Sequence, residues 1–90
     1  MFLCVSTYTA PLAVLDAARE DHKAWLDGLE AQDRVVLAGR QEPPVGGVIV
    51  LRAADRAELD GLLGGDPYAA RGLATYTVTA FTSLRGAATG

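Results

Sequence analysis

Proton transfer near neutral pH falls to imidazole more readily than to any other side chain, because its reference pKa lies at about 6.5. The chain has one histidine, His22. Stepping about 100° per residue from Leu15, Ala18, His22, Trp25, Leu26 and Leu29 fall in one stripe. Asp16, Glu20, Lys23 and Asp27 fall on the opposite face. His22 therefore sits inside an apolar stripe. Two readings follow: a histidine packed as a medium-sized aromatic with one nitrogen bonded locally, or a general acid or base. A second locus is Asp66-Pro67-Tyr68. Asp followed by Pro is an ordinary way to begin a helical turn. The sharper reading is a carboxylate that orients His22, as the acid does in a His–Asp pair.

The remaining chemistry-bearing residues point less far. Arg40, beside Gly39 in the expected exit loop of the second strand, has the charge to hold an anionic substrate. Ser6 and Ser83 sit in no nucleophile elbow, so a serine hydrolase finds no support. One His and one Cys on separate elements give no metal-ligand set, and no metal is expected. Gly46-Gly47 and Gly64-Gly65 lack the spacing of a phosphate loop or dinucleotide fingerprint, so no cofactor is expected either. Trp25 reads as core. Cys4, in an apolar run, reads as a small buried hydrophobe in a reducing compartment.

The elements that must position these groups follow from pattern. Residues 2–8 are β-branched and aromatic and read as a strand ending at Thr9-Ala10-Pro11. The helical period runs from Leu12 to about Gln32. Residues 34–38 form a second short strand, a Gly- and Pro-rich loop covers 39–47, and Gly47 to Arg52 is a third strand. Asp55 and Glu58 have capping-box spacing and open a short helix with Leu59, Leu62 and Leu63, stopped by Gly64-Gly65. Residues 66–72 make a turn or one helical turn, and 73–84 a fourth strand. The order β-α-β-β-α-β predicts an α+β ferredoxin-like fold, an antiparallel sheet with both helices on one face. The expected domain is 1–85, with 86–90 a flexible tail.

Composition adds a constraint. Half of the 90 residues are apolar, yet a domain near this size buries only about 60% of its unfolded surface. The third strand carries apolar residues on both faces, and no third helix is left to cover the second one. The expected cover is a second copy of the chain, giving a homodimer through the helix-free sheet face. A net charge of −3 with scattered basic residues argues against a nucleic-acid surface. The longest apolar-plus-glycine run, 45–51, falls far short of the roughly 20 residues that span a bilayer. With no basic stretch before an apolar run at the N-terminus, the expected location is cytoplasmic.

The ordered set of these pieces resembles the YCII-related (YciI-like) family. It comprises Tyr8-Thr9 with Pro11-Leu12, the His22-Lys-Ala-Trp-Leu26 segment, Leu37-Ala-Gly39, Gly46-Gly-Val-Ile49, Asp55-Arg-Ala-Glu-Leu59 and Asp66-Pro67-Tyr68. The resemblance covers nearly the whole chain. It implies the ferredoxin-like fold paired into a dimeric α/β barrel and an active site built around His22 and Asp66. Tyr8, Gly39, Arg40 and Tyr68 would then contact substrate. Many relatives follow the second strand with a Ser-Gly-Pro-like turn where this chain has Ala38-Gly39-Arg40, so the guanidinium of Arg40 stands in place of that hydroxyl. Among the family's activities is a dehydrochlorinase acting on a chlorinated muconolactone.

Two function classes are thus in play. One is a small cofactor-free lyase or isomerase moving a proton on a small anionic or cyclic metabolite. The other is a non-catalytic dimeric ligand-binding or accessory module, in which the His–Asp bond is structural.

Overall fold

In the computed structural model, which describes residues 1–86, the N-terminal run forms strand β1 (Phe2–Tyr8). It is followed by α1 (Leu12–Ala31), β2 (Val35–Arg40), β3 (Gly47–Leu51), α2 (Arg56–Gly64), a one-turn helix α3 (Pro67–Ala70) and β4 (Ala74–Ala80). The sheet has the order β2-β3-β1-β4, and every neighbouring pair is antiparallel. The sequence of elements is the ferredoxin-like one, with α3 added between α2 and β4. Residues 87–90 of the expected tail lie outside the described residues.

Local chemistry sets the helix ends. Pro11 precedes the first helical residue of α1, and its carbonyl accepts from Val14 and Leu15. Asp33 takes a left-handed conformation (φ 58°) just past the other end, one that Asp tolerates better than most residues. The Asp33 N–H returns to the Glu30 carbonyl and the Arg34 N–H to that of Leu29. At α2 the Asp55 carboxylate accepts from the Glu58 N–H at 2.8 Å. Glu58 reaches back to the Ala54 N–H at 2.9 Å, one residue before the cap, and also takes Arg34. The Ala54 bond and then Arg34 hold the Glu58 carboxyl below its ordinary range.

Alternation on the strands divides the sheet into two faces. Phe2, Cys4, Ile49 and Leu51 pack with Leu29 of α1 and with Leu59 and Leu63 of α2. Leu15 and Ala18 of α1 pack with Tyr68 and Ala74 in a second cluster. Cys4 is fully buried, and burial pushes its thiol up to about 11 against the opposing charge of Arg56. It packs as the small hydrophobe its position predicts. The other face carries Leu3, Val5, Val48, Val50 and Leu37, flanked by Thr75, Thr77 and Thr79 of β4.

Two boundaries differ from the sequence reading. Gly39 and Arg40 belong to β2 rather than to a loop, because pairing with β3 continues through Gly39↔Val48 to Arg40↔Gly47. The connection shrinks to 41–46 and returns close against β1. A Cβ at Gly46 would stand 1.7 Å from the Ser6 carbonyl oxygen, so only glycine fits there. β4 ends at Ala80, not near 84, because its partner β1 begins at Phe2, which pairs with Ala80. Reciprocal backbone bonds between Met1 and Phe81 close that edge.

Candidate active site

Asp66 is fully buried, and three donors converge on its carboxylate. As N-cap of α3, its Oδ1 accepts the Tyr68 N–H at 3.0 Å. The same oxygen lies 2.7 Å from Nδ1 of His22, which is 44 residues distant in sequence. Oδ2 accepts the Tyr76 hydroxyl at 2.6 Å. Pro67 at the first helical position fixes the turn that aims this carboxylate at α1. The two residues singled out from sequence therefore meet.

The acceptor-only character of an ionised carboxylate fixes the tautomer. Nδ1 of His22 must carry the proton it donates to Asp66, so in the neutral ring Nε2 keeps its lone pair. No partner for Nε2 occurs among the described residues. The imidazole stacks on Tyr68, with centroids 4.1 Å apart and planes 6° from parallel. Trp25 lies beside it at 5.5 Å. The Trp25 indole N–H is spent on the Leu62 carbonyl at 3.0 Å, which agrees with a packing role.

His22 faces a cleft of about 440 Å³ between α1, the sheet and α3. Tyr8, Gly39, Arg40 and Tyr68 all line it, while Asp66 lies beneath. Tyr8 meets Tyr68 edge-on at 6.1 Å. Burial, with smaller contributions led by Tyr8, raises the Tyr68 phenol above its ordinary range despite the nearby charge of Arg19, so its hydroxyl stays a donor. Tyr76 is raised further, first by burial and then by its bond to Asp66.

Several lining groups were not singled out from sequence. Tyr76 shares the helix-facing side of β4 with Ala74 and Val78. A phenol in that register needs a polar partner, and this was the available signal. Ser6 also lines the cleft, but its Oγ accepts the Gly47 N–H at 2.8 Å and sits in no nucleophile arrangement. Ser83 lies after β4, outside the cleft. Asp16 and Lys23, placed on the solvent face by helical angle, line the cleft instead. Side chains at the flanks of a buried stripe reach past it when the helix overhangs an open space.

These features define a ferredoxin-like α+β protein with an aromatic-walled cleft and a carboxylate-oriented histidine. The sequence matches the YCII-related domain over residues 1–82, and the chain belongs to that family. Among solved structures it is similar to 5-chloro-2-hydroxyhydroquinone dehydrochlorinase (TftG) from Burkholderia phenoliruptrix AC1100, in complex with 2,5-dihydroxybenzoquinone. The TM-score is 0.76 at 19% identity, covering 91% of this chain and 94% of that one. This likeness speaks to the fold. No curated protein sequence matches significantly. No helix among the described residues is long and apolar enough to cross a membrane, and no three potential metal ligands cluster among them.

Proposed function

We propose that the chain is a small enzyme of proton-transfer chemistry, a lyase or isomerase, with His22 as the general base and acid. The observation that carries this reading is the 2.7 Å bond from His22 Nδ1 to Asp66, which leaves Nε2 without a partner among the described residues on a cleft-lining ring. Nε2 removes a proton from a carbon or hydroxyl acid, and the freed electron pair enters an enolate-type system. In an isomerisation the imidazolium returns the proton at another carbon. In an elimination the pair forms a double bond and a leaving group such as chloride departs with its own electrons, which is the reaction class named for the TftG relative. Asp66 holds the ring and stabilises the imidazolium, which also gains from lying on the face of Tyr68. Tyr8 and Tyr68, which line the cleft, would donate to a developing oxyanion, and Arg40, which also lines it, would hold a carboxylate.

Incubation in D2O with small cyclic and unsaturated acids, followed by proton NMR, tests the reading. Catalysed exchange of an acidic C–H, or elimination, is expected for at least one of them. A protein that binds such acids while catalysing neither supports the ligand-binding module instead.

The helix-free face supports a homodimer. Val50 is buried, but its β2 neighbour Leu37 is 54% exposed at the sheet edge, and Leu3, Val5 and Val48 on the same face are only partly covered. Light scattering should give twice the 9.4 kDa chain mass. Leu37→Asp should shift the protein toward monomer without unfolding it. A wild-type monomer at micromolar concentration would contradict the pairing.

A further inference from the structure

Half of the eight basic side chains of this protein are paired among the described residues. Arg34, Arg52, Arg56 and Arg71 each meet a carboxylate. Arg19, Lys23 and Arg40 form no ion pair among the described residues, and all three line the cleft. Against them stands one lining carboxylate, Asp16, because Asp66 beneath is taken up by His22 and Tyr76. Three of the four basic side chains without an ion pair among the described residues thus gather around one opening of a protein of net charge −3, the fourth, Arg85, lying beyond β4 and outside the cleft.

Their placement costs something locally. Arg19 and Lys23 are four residues apart on α1, a like-charge spacing that weakens a helix. Asp27, one turn beyond Lys23, and Asp16, three residues before Arg19, are available as partners, yet neither closes an ion pair. Arg19 lies one turn before His22 and Lys23 directly after it, while Arg40 faces them from β2. The cations therefore bracket the imidazole.

We infer that Arg19, Lys23 and Arg40 form an anion clamp and that the substrate is a small cyclic carboxylic acid, held so that its reacting C–H meets His22. The inference rests on the proton-transfer reading for the placement of the C–H, but the anion preference stands on charge alone. A carboxylate adjacent to the reacting carbon places the charge of the enolate within reach of the same cations. The Tyr68 hydroxyl, near Arg19, adds an uncharged donor.

The test compares 2,5-dihydroxybenzoate with 2,5-dihydroxybenzamide, which share ring and size but differ in charge, by NMR titration of backbone amides. The carboxylate should bind at least about tenfold tighter at low salt. Its advantage should shrink as NaCl rises from about 0.02 to about 0.5 M. The combined Arg19→Gln, Lys23→Gln, Arg40→Gln variant should bind both probes alike, and each single change should remove part of the preference. All three side chains are exposed, so the fold is expected to survive, with a thermal melt as the check. Equal affinities, tighter binding of the amide, or no binding of either at millimolar concentration would overturn the clamp, as would a preference that persists in the triple variant. His22→Asn should keep the preference. A preserved preference without catalysed exchange would remove the proton-transfer reading alone, and exchange without preference would remove the clamp alone.

Discussion

His22→Asn is expected to slow proton transfer by about 10²- to 10⁴-fold, the usual contribution of a positioned general base. Asparagine is informative because its amide nitrogen falls near the place of Nδ1. It can still donate to Asp66, while nothing remains at the position of Nε2 to accept a proton. Stability should change by no more than about 1 kcal/mol, since the Asp66 bond is retained and the site is partly open to solvent. Measured by deuterium exchange at saturating acid, the loss should appear in kcat with little change in KM, because binding falls to other residues. A variant exchanging at the wild-type rate would show that His22 holds the fold and does not handle the proton.

Asp66→Ala is expected to cause the largest loss of stability, about 3–5 kcal/mol, as for removal of one member of a buried pair. The change deletes the N-cap of α3 and strands the Tyr68 N–H, the Tyr76 hydroxyl and the His22 Nδ1–H together. For a domain of this size each kcal/mol lowers Tm by roughly 4–8 °C, so the loss is large beside a typical total of about 5–15 kcal/mol. Asp66→Asn should behave differently. The Tyr68 N–H is a fixed donor, so the amide oxygen must stay at the Oδ1 position, where it still accepts from His22. The amide nitrogen then faces Tyr76, whose hydroxyl can rotate to accept. Geometry and tautomer survive and only the negative charge goes, which should cost about 1–2 kcal/mol of stability and about ten- to a hundredfold in rate. A thermal melt of both variants checks this, and an Asp66→Ala protein as stable as the wild type would contradict the hydrogen-bond reading.

Much of the architecture was legible because each element carries its own local signal. The capping box of α2, the Pro at α3 and the glycine stop after α2 all appear where the residues require them. The third strand's two apolar faces are likewise present, since Ile49 and Leu51 meet the helices while Val48 and Val50 lie on the other side. Strand ends were less legible because they depend on a partner's length: β2 runs on while β3 lasts, and β4 stops where β1 begins.

At the site, His22 and Asp66 were visible as residue types in unusual positions, and the family resemblance joined them. Tyr76 was hidden in an alternating strand, since its partner comes from a loop ten residues away. Arg19, Lys23 and Asp16 were hidden for another reason. A helical wheel gives an angle around the axis, but whether a flanking side chain meets solvent or a cleft depends on what the helix overhangs. That is a tertiary property, and in this fold it decides the charge of the site.

The pairing of His22 with Asp66 is tested most directly by the ring nitrogens of His22 in a ¹⁵N-labelled sample. The expected spectrum has a protonated Nδ1 and an unprotonated Nε2 in the neutral ring, with the Nε2 signal moving when 2,5-dihydroxybenzoate enters the cleft. A neutral ring protonated at Nε2, or an Nε2 signal indifferent to the bound acid, would contradict a base poised on the cleft.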